Sequence, residues 1–298
     1  MTVPPASVSV VIPALNEARN LPPVLARMPG AIHEIIVVDG HSVDGTLEVA
    51  RRCRPDARTL KQSRRGKGNA LACGFEAATG DIIVTLDADG SADPAEIPLF
   101  VDALTRGADF AKGTRFASGG GSSDLTRLRS LGNRALNACV NARFGTSFTD
   151  LCYGYNAFWR RHVPVLRLDV AAPPPADRGG MLWGDGFEIE TLIHIRVAEA
   201  GLRVAEVPSY EHDRLHGVSN LNTFADGARV LRTILTERRQ ARRALRRAPA
   251  VALAATDAGL LTGPLAADLG FAARASLMTP AVQPPVTRPA NPGERAAG

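Results

Sequence analysis

The 298 residues are 45% hydrophobic and 22% charged, an ordinary globular mixture that excludes collagen-like, coiled-coil and wholly disordered chains. A chain of this length buries enough surface to fold around a core without disulfide or metal staples. The formal charge of +5 is concentrated, because residues 229–247 hold eight Arg against one Glu; a broad nucleic-acid-binding face is thereby excluded.

Along the first 115 residues, short Val/Ile-rich runs alternate with amphipathic stretches. Val8–Ile12, Glu34–Val38, Asp81–Leu86 and Ala108–Ala111 read as buried strands. Helical patterns fall between them at Glu17–Met28, Val43–Arg52, Lys67–Ala78 and Pro94–Thr105. This alternation predicts an α/β fold, a Rossmann-like, mostly parallel central sheet with helices on both faces. Ligands of such sheets bind beyond the carboxyl ends of the strands.

Further along, a Gly/Ser loop at Ala117–Ser123 precedes a helix expected over Leu125–Phe144. A region carrying Asp150, Tyr153, Tyr155 and Trp159 follows, then loops at Pro173–Pro175 and Gly179–Gly180. A helix is expected at Gly186–Ala200, a strand at Arg203–Val207 and a long helix over Asn222–Arg247. Residues 1–235 are read as one catalytic domain with halves 8–115 and 116–235. Residues 236–250 are read as an Arg-rich helix end, and 251–298, rich in Ala, Gly and Pro, as a largely disordered tail.

Cys53, Cys73, Cys139 and Cys152 are scattered with no close pair, so neither a zinc cluster nor a C-x-x-C site is written here, and a reducing, cytoplasmic setting is expected. Met1–Ser7 has no signal-peptide pattern. The most apolar stretch, Val251–Ala275, is interrupted by Asp257, Pro264 and Asp268 and is not expected to span a membrane.

The residues with chemical potential lie at the expected strand ends. Asp87-Ala88-Asp89 follows the Ile82–Leu86 run, and two carboxylates one residue apart on a turn can converge on a hard cation such as Mg²⁺ or Mn²⁺. A turn-capping pair is the competing reading. Asp39 ends a strand and can accept hydrogen bonds from a base or ribose, whereas Ser42 and Asp44 suit capping of the next helix. In Pro13-Ala14-Leu15-Asn16-Glu17, Pro13 ends the first strand and Glu17 is placed to reach a ribose. Arg64-Arg65-Gly66-Lys67-Gly68 opens a helix whose amides and Lys67 favour an anion, but it has no Walker spacing, and no G-x-G-x-x-G follows the first strand.

Taken together these segments resemble glycosyltransferase family 2, in the branch similar to dolichyl-phosphate (polyprenyl-phosphate) mannose and glucose synthases. The resemblance rests on Ile-Pro-Ala-Leu-Asn-Glu (12–17), Val-Val-Asp-Gly-His-Ser-Val-Asp-Gly-Thr (37–46), Arg-Gly-Lys-Gly-Asn-Ala (65–70) and Leu-Asp-Ala-Asp-Gly (86–90). It continues through Gly113-Thr114-Arg115, Thr149-Asp150, Gly154–Phe158, Glu206-Val207-Pro208 and Arg214–Ser219. Gly40 stands where a second Asp is often found, and Ser91 where mannose synthases often carry Gln.

The resemblance implies a GT-A fold and inverting displacement at the anomeric carbon of a UDP- or GDP-sugar. It implies that Glu17 and Asp39 hold the nucleoside, that Asp87 and Asp89 hold a metal–diphosphate, and that Arg115 and Arg214 face phosphates. Pro13, Ala14, Asn16, Lys67 and Ala88 belong to the same expected donor site.

The acceptor stays open between a polyprenyl phosphate, already ionised, and a hydroxyl compound, which needs a base. Asp150, Asp185, Glu188 and Glu190 are candidate bases, with Asp150 preferred and Asp185 retained as catalytic; Arg115, Arg127 and Arg214 are candidate phosphate holders. The Arg-rich segment suits peripheral contact with an anionic membrane at its inner face, or simply a solvated helix end. A sugar-phosphate nucleotidyltransferase is disfavoured by the absence of a Gly-rich loop after the first strand. A non-catalytic membrane-surface protein remains a further alternative.

Overall fold

The computed structural model describes residues 5–173, 181–217 and 227–241. Its centre is a seven-stranded sheet of order β3-β2-β1-β4-β7-β5-β8. The strands are β1 (Val8–Ala14), β2 (Glu34–Asp39), β3 (Arg58–Lys61), β4 (Ile82–Thr85), β5 (Phe110–Thr114), β7 (Asn156–Trp159) and β8 (Val204–Pro208). All neighbours pair parallel except β7, which runs antiparallel between β4 and β5. β6 (Gly121–Ser122) and β9 (Tyr210–Glu211) form a separate small parallel pair.

β1, β2 and β4 are buried on both faces, as their Val/Ile-rich runs demand. Val10, Ile12, Ile35, Val37, Ile82 and Val84 enter one core layer, while Val11, Ile36, Val38 and Ile83 enter the other. The first layer is completed by α1 (Leu21–Ala26), α2 (Thr46–Cys53) and α4 (Ile97–Thr105). The second is completed by α3 (Lys67–Ala77), α5 (Arg127–Phe144), α6 (Ile189–Glu199) and a helix over 227–241, here α7.

The helix expected over Glu17–Met28 contracts to α1 because Pro22 and Pro23 fit only a first turn. The helix at Lys67–Ala77 agrees with its pattern to within one residue. Thr126 caps α5 by accepting from the Arg129 N–H, and Gly145, at φ 67°, ends it in the left-handed region. Four strands went unread, among them the two-residue β6 and β9. β3 is a half-exposed edge strand, and β7 is four residues long inside the aromatic region. The expectations for the 251–298 tail, for the helix beyond 241, and for residues 179–180 and 218–226 fall outside the described residues.

Candidate active site

The carboxyl ends of the parallel strands open into a cleft of about 1200 Å³. β1 delivers Pro13 and Ala14 to its wall, the turn after β4 delivers Asp87, Ala88 and Asp89, and the turn after β5 delivers Arg115. Asn16, Glu17, Lys67 and Arg214 also line it. Asp39 ends β2 beside the lining Gly40; it is only 2% exposed, and both its oxygens lie 3.2 Å from the Ser42 N–H.

Asn16 is in the left-handed region at φ 57°, a conformation Asn tolerates because its side chain can bond locally. Its N–H donates to Ser42 Oγ at 2.8 Å, and its Oδ1 accepts from the Val43 N–H at 2.9 Å. The two loops that follow β1 and β2 are thereby locked together. Glu17 donates its N–H to Thr46 Oγ1, while its carboxylate accepts from Asn20 Nδ2 at 2.5 Å and from Arg214 Nη1 at 2.9 Å.

Asp87 and Asp89 meet the cleft with side chains 36% and 17% exposed. Lys67 Nζ lies 2.8 Å from Asp87 Oδ1 and 2.6 Å from Glu190 Oε1, joining the turn after β4 to the first turn of α6. Burial by itself would depress the Lys67 ammonium, but the charges of Asp87 and Glu190 outweigh it and raise it well above the ordinary lysine value. Burial, reinforced by the like charge of Asp87, raises the Glu190 carboxyl. Asp89 accepts at Oδ1 from the Ser91 N–H and Oγ, and its Oδ2 lies 3.2 Å from Arg214 Nη2. Arg214 thus bridges Glu17 and Asp89 across one end of the cleft.

The donor set at this rim is all oxygen, two carboxylates one residue apart. That set fits Mg²⁺ or Mn²⁺, which take one or two carboxylates and complete their shells with phosphate and water oxygens. No third His, Cys, Asp or Glu joins them in a metal-binding group among the described residues. Asp87 and Asp89 are therefore the residues that would hold the ion.

Two expected acceptor-side carboxylates do not reach the cleft. Asp150 is 0% exposed and lies behind Arg115, whose Nε and Nη2 donate to its two oxygens at 2.7 and 2.8 Å. The Arg115 N–H and Asn133 Nδ2 also donate to it. Burial pushes this carboxyl up, yet the bonds and charge of Arg115 prevail and hold it below the usual carboxylate range. A carboxylate with its lone pairs so engaged positions Arg115 and is no base for a substrate.

Asp185 is likewise buried, bonded by Arg64 Nε at 2.7 Å and Nη2 at 2.9 Å. Its carbonyl accepts from the Gly68 N–H at 2.7 Å. The amides that open α3, expected to greet an anion, are thus partly spent on the chain itself. Glu188 accepts from the Gly184 and Gly186 N–H groups, and Arg127 is exposed outside the lining.

Sequence reasoning missed the support around Arg115. Glu211 of β9 accepts from its Nη1 at 2.9 Å, and the guanidinium lies 5.0 Å from the centre of the Tyr153 ring. No local pattern marks Glu211, because the contact joins positions 96 apart. Cys152 lines the cleft, but burial pushes its thiol up to about 12, which leaves it protonated and a poor nucleophile.

Comparison with known proteins shows the family and the fold. The chain is 32% identical over 223 residues to the polyprenol monophosphomannose synthase of Mycolicibacterium smegmatis, covering 72% of this chain and 80% of that one. It is 30% identical over 233 residues to the undecaprenyl-phosphate mannosyltransferase of Micrococcus luteus, covering 75% and 91%. Among solved structures, the glucosyl-3-phosphoglycerate synthase of Mycobacterium tuberculosis, crystallised with Mn²⁺, UDP and glucosyl-3-phosphoglycerate, superposes with a TM-score of 0.57. That match has 26% identity and covers 78% of this chain and 79% of the other. The sheet and its flanking helices are a GT-A-like fold. Residues 9–163 match the profile of Glycosyl transferase family 2, and with the strand-end carboxylates in place the chain belongs to that family.

Proposed function

We propose that the protein is a metal-dependent inverting hexosyltransferase that uses a UDP- or GDP-sugar and a polyprenyl phosphate acceptor, working peripherally at the inner face of the membrane. The observation that carries this reading is the state of the carboxylates on the acceptor side. Asp150 and Glu211 are engaged by Arg115, and Glu190 by Lys67. A hydroxyl acceptor needs a base to take its proton, whereas a phosphate monoester is already ionised and needs only to be held. The names of the mannosyl-transferring relatives support the same acceptor class.

In this reading Asp39 and Glu17 receive the nucleoside, and Asp87 and Asp89 hold Mg²⁺ or Mn²⁺. When bound, the ion supplies Lewis-acid neutralisation of the charge that gathers on the departing diphosphate. Arg214 gives up its contacts with Glu17 and Asp89 as phosphate oxygens replace them. Arg115, held by Asp150, keeps a fixed cation at the end of β5 beside the phosphates. The acceptor phosphate oxygen attacks the anomeric carbon from the face opposite the leaving nucleoside diphosphate. One C–O bond forms as the other breaks, with inversion and no proton to transfer. No helix of the described residues is long and apolar enough to cross a membrane.

A soluble phosphorylated acceptor is the second reading, favoured by the structural likeness to the glucosyl-3-phosphoglycerate synthase. Sugar nucleotide radiolabelled in the hexose separates the two. Label extracted with the lipid phase when polyprenyl phosphate is supplied supports the first reading. Label remaining aqueous with every lipid phosphate tried, while phosphoglycerate becomes labelled, establishes the second.

A further inference from the structure

α5 carries an apolar stripe that the fold leaves uncovered. Its inward face is Asn133, Asn137 and Val140, and its outward positions include Leu128, Leu131, Ala135 and Ala142, spaced at three, four and seven residues. Leu128 is 57% and Leu131 66% exposed, large values for leucines in the middle of a well-packed chain. α7 adds Leu231, 42% exposed, on its own outer side.

These leucines lie on strongly basic helices, and the acid just before α5, Asp124, is paired with Arg129 Nη1 at 2.8 Å. The sequence of α5 has four Arg and no acidic residue, and residues 227–241 have four Arg and one Glu. That Glu237 faces inward, 1% exposed, bonded by Arg196 Nε and Trp183 Nε1. Arg127, Arg134 and Arg232 are exposed with no acidic partner among the described residues. The two helices meet along their later turns, where Ala142 and Arg143 border the same recess as Leu235, Arg238 and Arg239. They also wall the cleft, through Gly132, Asn133 and Leu136 of α5 and Val230 of α7.

We infer that the outer face of α5 and α7 docks on an anionic lipid bilayer, with Leu128, Leu131 and Leu231 entering the headgroup boundary and the surrounding guanidinium groups meeting lipid phosphates. An in-plane helix of this kind needs an apolar strip flanked by cations and free of acids, which these helices provide. A protein partner of ordinary composition would present charges of both signs and calls for no such basic excess. The face borders the cleft mouth, so docking brings a membrane-embedded acceptor to the catalytic wall; in this respect the inference rests on the function proposed above.

The test is co-sedimentation of the full chain with vesicles of phosphatidylcholine alone and of phosphatidylcholine mixed with phosphatidylglycerol. The wild type should bind the mixed vesicles, bind neutral ones weakly, and release as salt is raised. Leu128→Asp/Leu131→Asp should lose about a hundredfold in partitioning, since two leucines would no longer leave water. Its thermal unfolding and its turnover on detergent-dispersed acceptor should stay at wild-type values. Val43→Asp, a charge placed at a 91% exposed position on another part of the surface, should bind as the wild type does.

Equal binding by the double variant, equal binding to neutral vesicles, or no vesicle binding by the wild type overturns the inference. If instead residues 242–298 cover this face, the double variant lowers the unfolding temperature and the wild type does not sediment, which overturns it as well. Vesicle binding without any lipid-linked product would sink the proposed acceptor and leave the docking face standing. Product in detergent without vesicle binding does the reverse.

Discussion

Arg115 and Asp150 face each other fork to fork, with Nε 2.7 Å from Oδ2 and Nη2 2.8 Å from Oδ1, and the two side chains are 4% and 0% exposed. Such a pair is costly to split, because removing one partner strands a buried charge. Asp150→Ala should therefore destabilise the fold by about 3–5 kcal/mol, with a correspondingly lower denaturant midpoint. A carboxylate serving only as a surface base would be lost with no change in stability. An unchanged midpoint would show that the pair does not hold Arg115 in place.

The rim carboxylates give the opposite signature. Asp89 is partly exposed and its partners are Ser91 and Arg214, so Asp89→Asn costs the fold little. On the proposed function turnover should fall by at least about a hundredfold, since the ion that would neutralise the leaving diphosphate would lose a ligand. Chelation with EDTA should silence the wild type, and Mn²⁺ or Mg²⁺ should restore it. Circular dichroism melts of the variant should remain cooperative near the wild-type temperature. Near-normal turnover by Asp89→Asn would remove the metal role from this residue.

Much of this was legible in the chain, and the exceptions have one cause. β1, β2 and β4 are buried on both faces, so their Val/Ile-rich runs announced them, and the Asp87–Asp89 turn follows from where β4 ends. β5 lies later than expected, sharing only Phe110 and Ala111 with the expected Ala108–Ala111. β7 was hidden because its strand character comes from pairing with Ile82–Thr85 and Phe110–Lys112, segments far off in sequence. Which way an acid turns at a strand end is equally non-local. Asp150 is claimed by an arginine 35 positions away, and Asp185 by one 121 positions away. Arg64 and Gly68, read as parts of an anion site, instead fasten α3 to the loop before α6.

That fastening makes Gly68 a position of close backbone approach. A Cβ there would lie 1.8 Å from the Gly184 carbonyl oxygen and 2.9 Å from Ile189 Cβ. Backbone cannot move aside as a flexible side chain can, so Gly68→Ala should destabilise by about 1–3 kcal/mol despite the better helix propensity of alanine. Gly132 in α5 provides the control, since its Cβ would meet nothing within 4 Å. Gly132→Ala should stabilise by about 0.5–1 kcal/mol. Denaturant midpoints of the two variants should move in opposite directions; a shared direction would mean that the Gly68 contact yields without cost.

Glu34 contributes to the acid limb of stability. Burial by itself would raise its carboxyl, but the Thr79 N–H, Ser9 Oγ, Thr79 Oγ1 and Arg58 all donate to it and bring it from 4.5 down to about 2. The folded state therefore binds a proton less readily than the unfolded chain. The contribution of Glu34 is fully present above about pH 4.5 and is lost as the pH falls toward about 2. Glu34→Gln should lower stability at neutral pH and flatten the decline across that window, so that the two stability curves converge at its acid end. Urea unfolding at a series of pH values measures this, and parallel curves throughout would show that the four hydrogen bonds do not discriminate between the carboxylate and its neutral substitute.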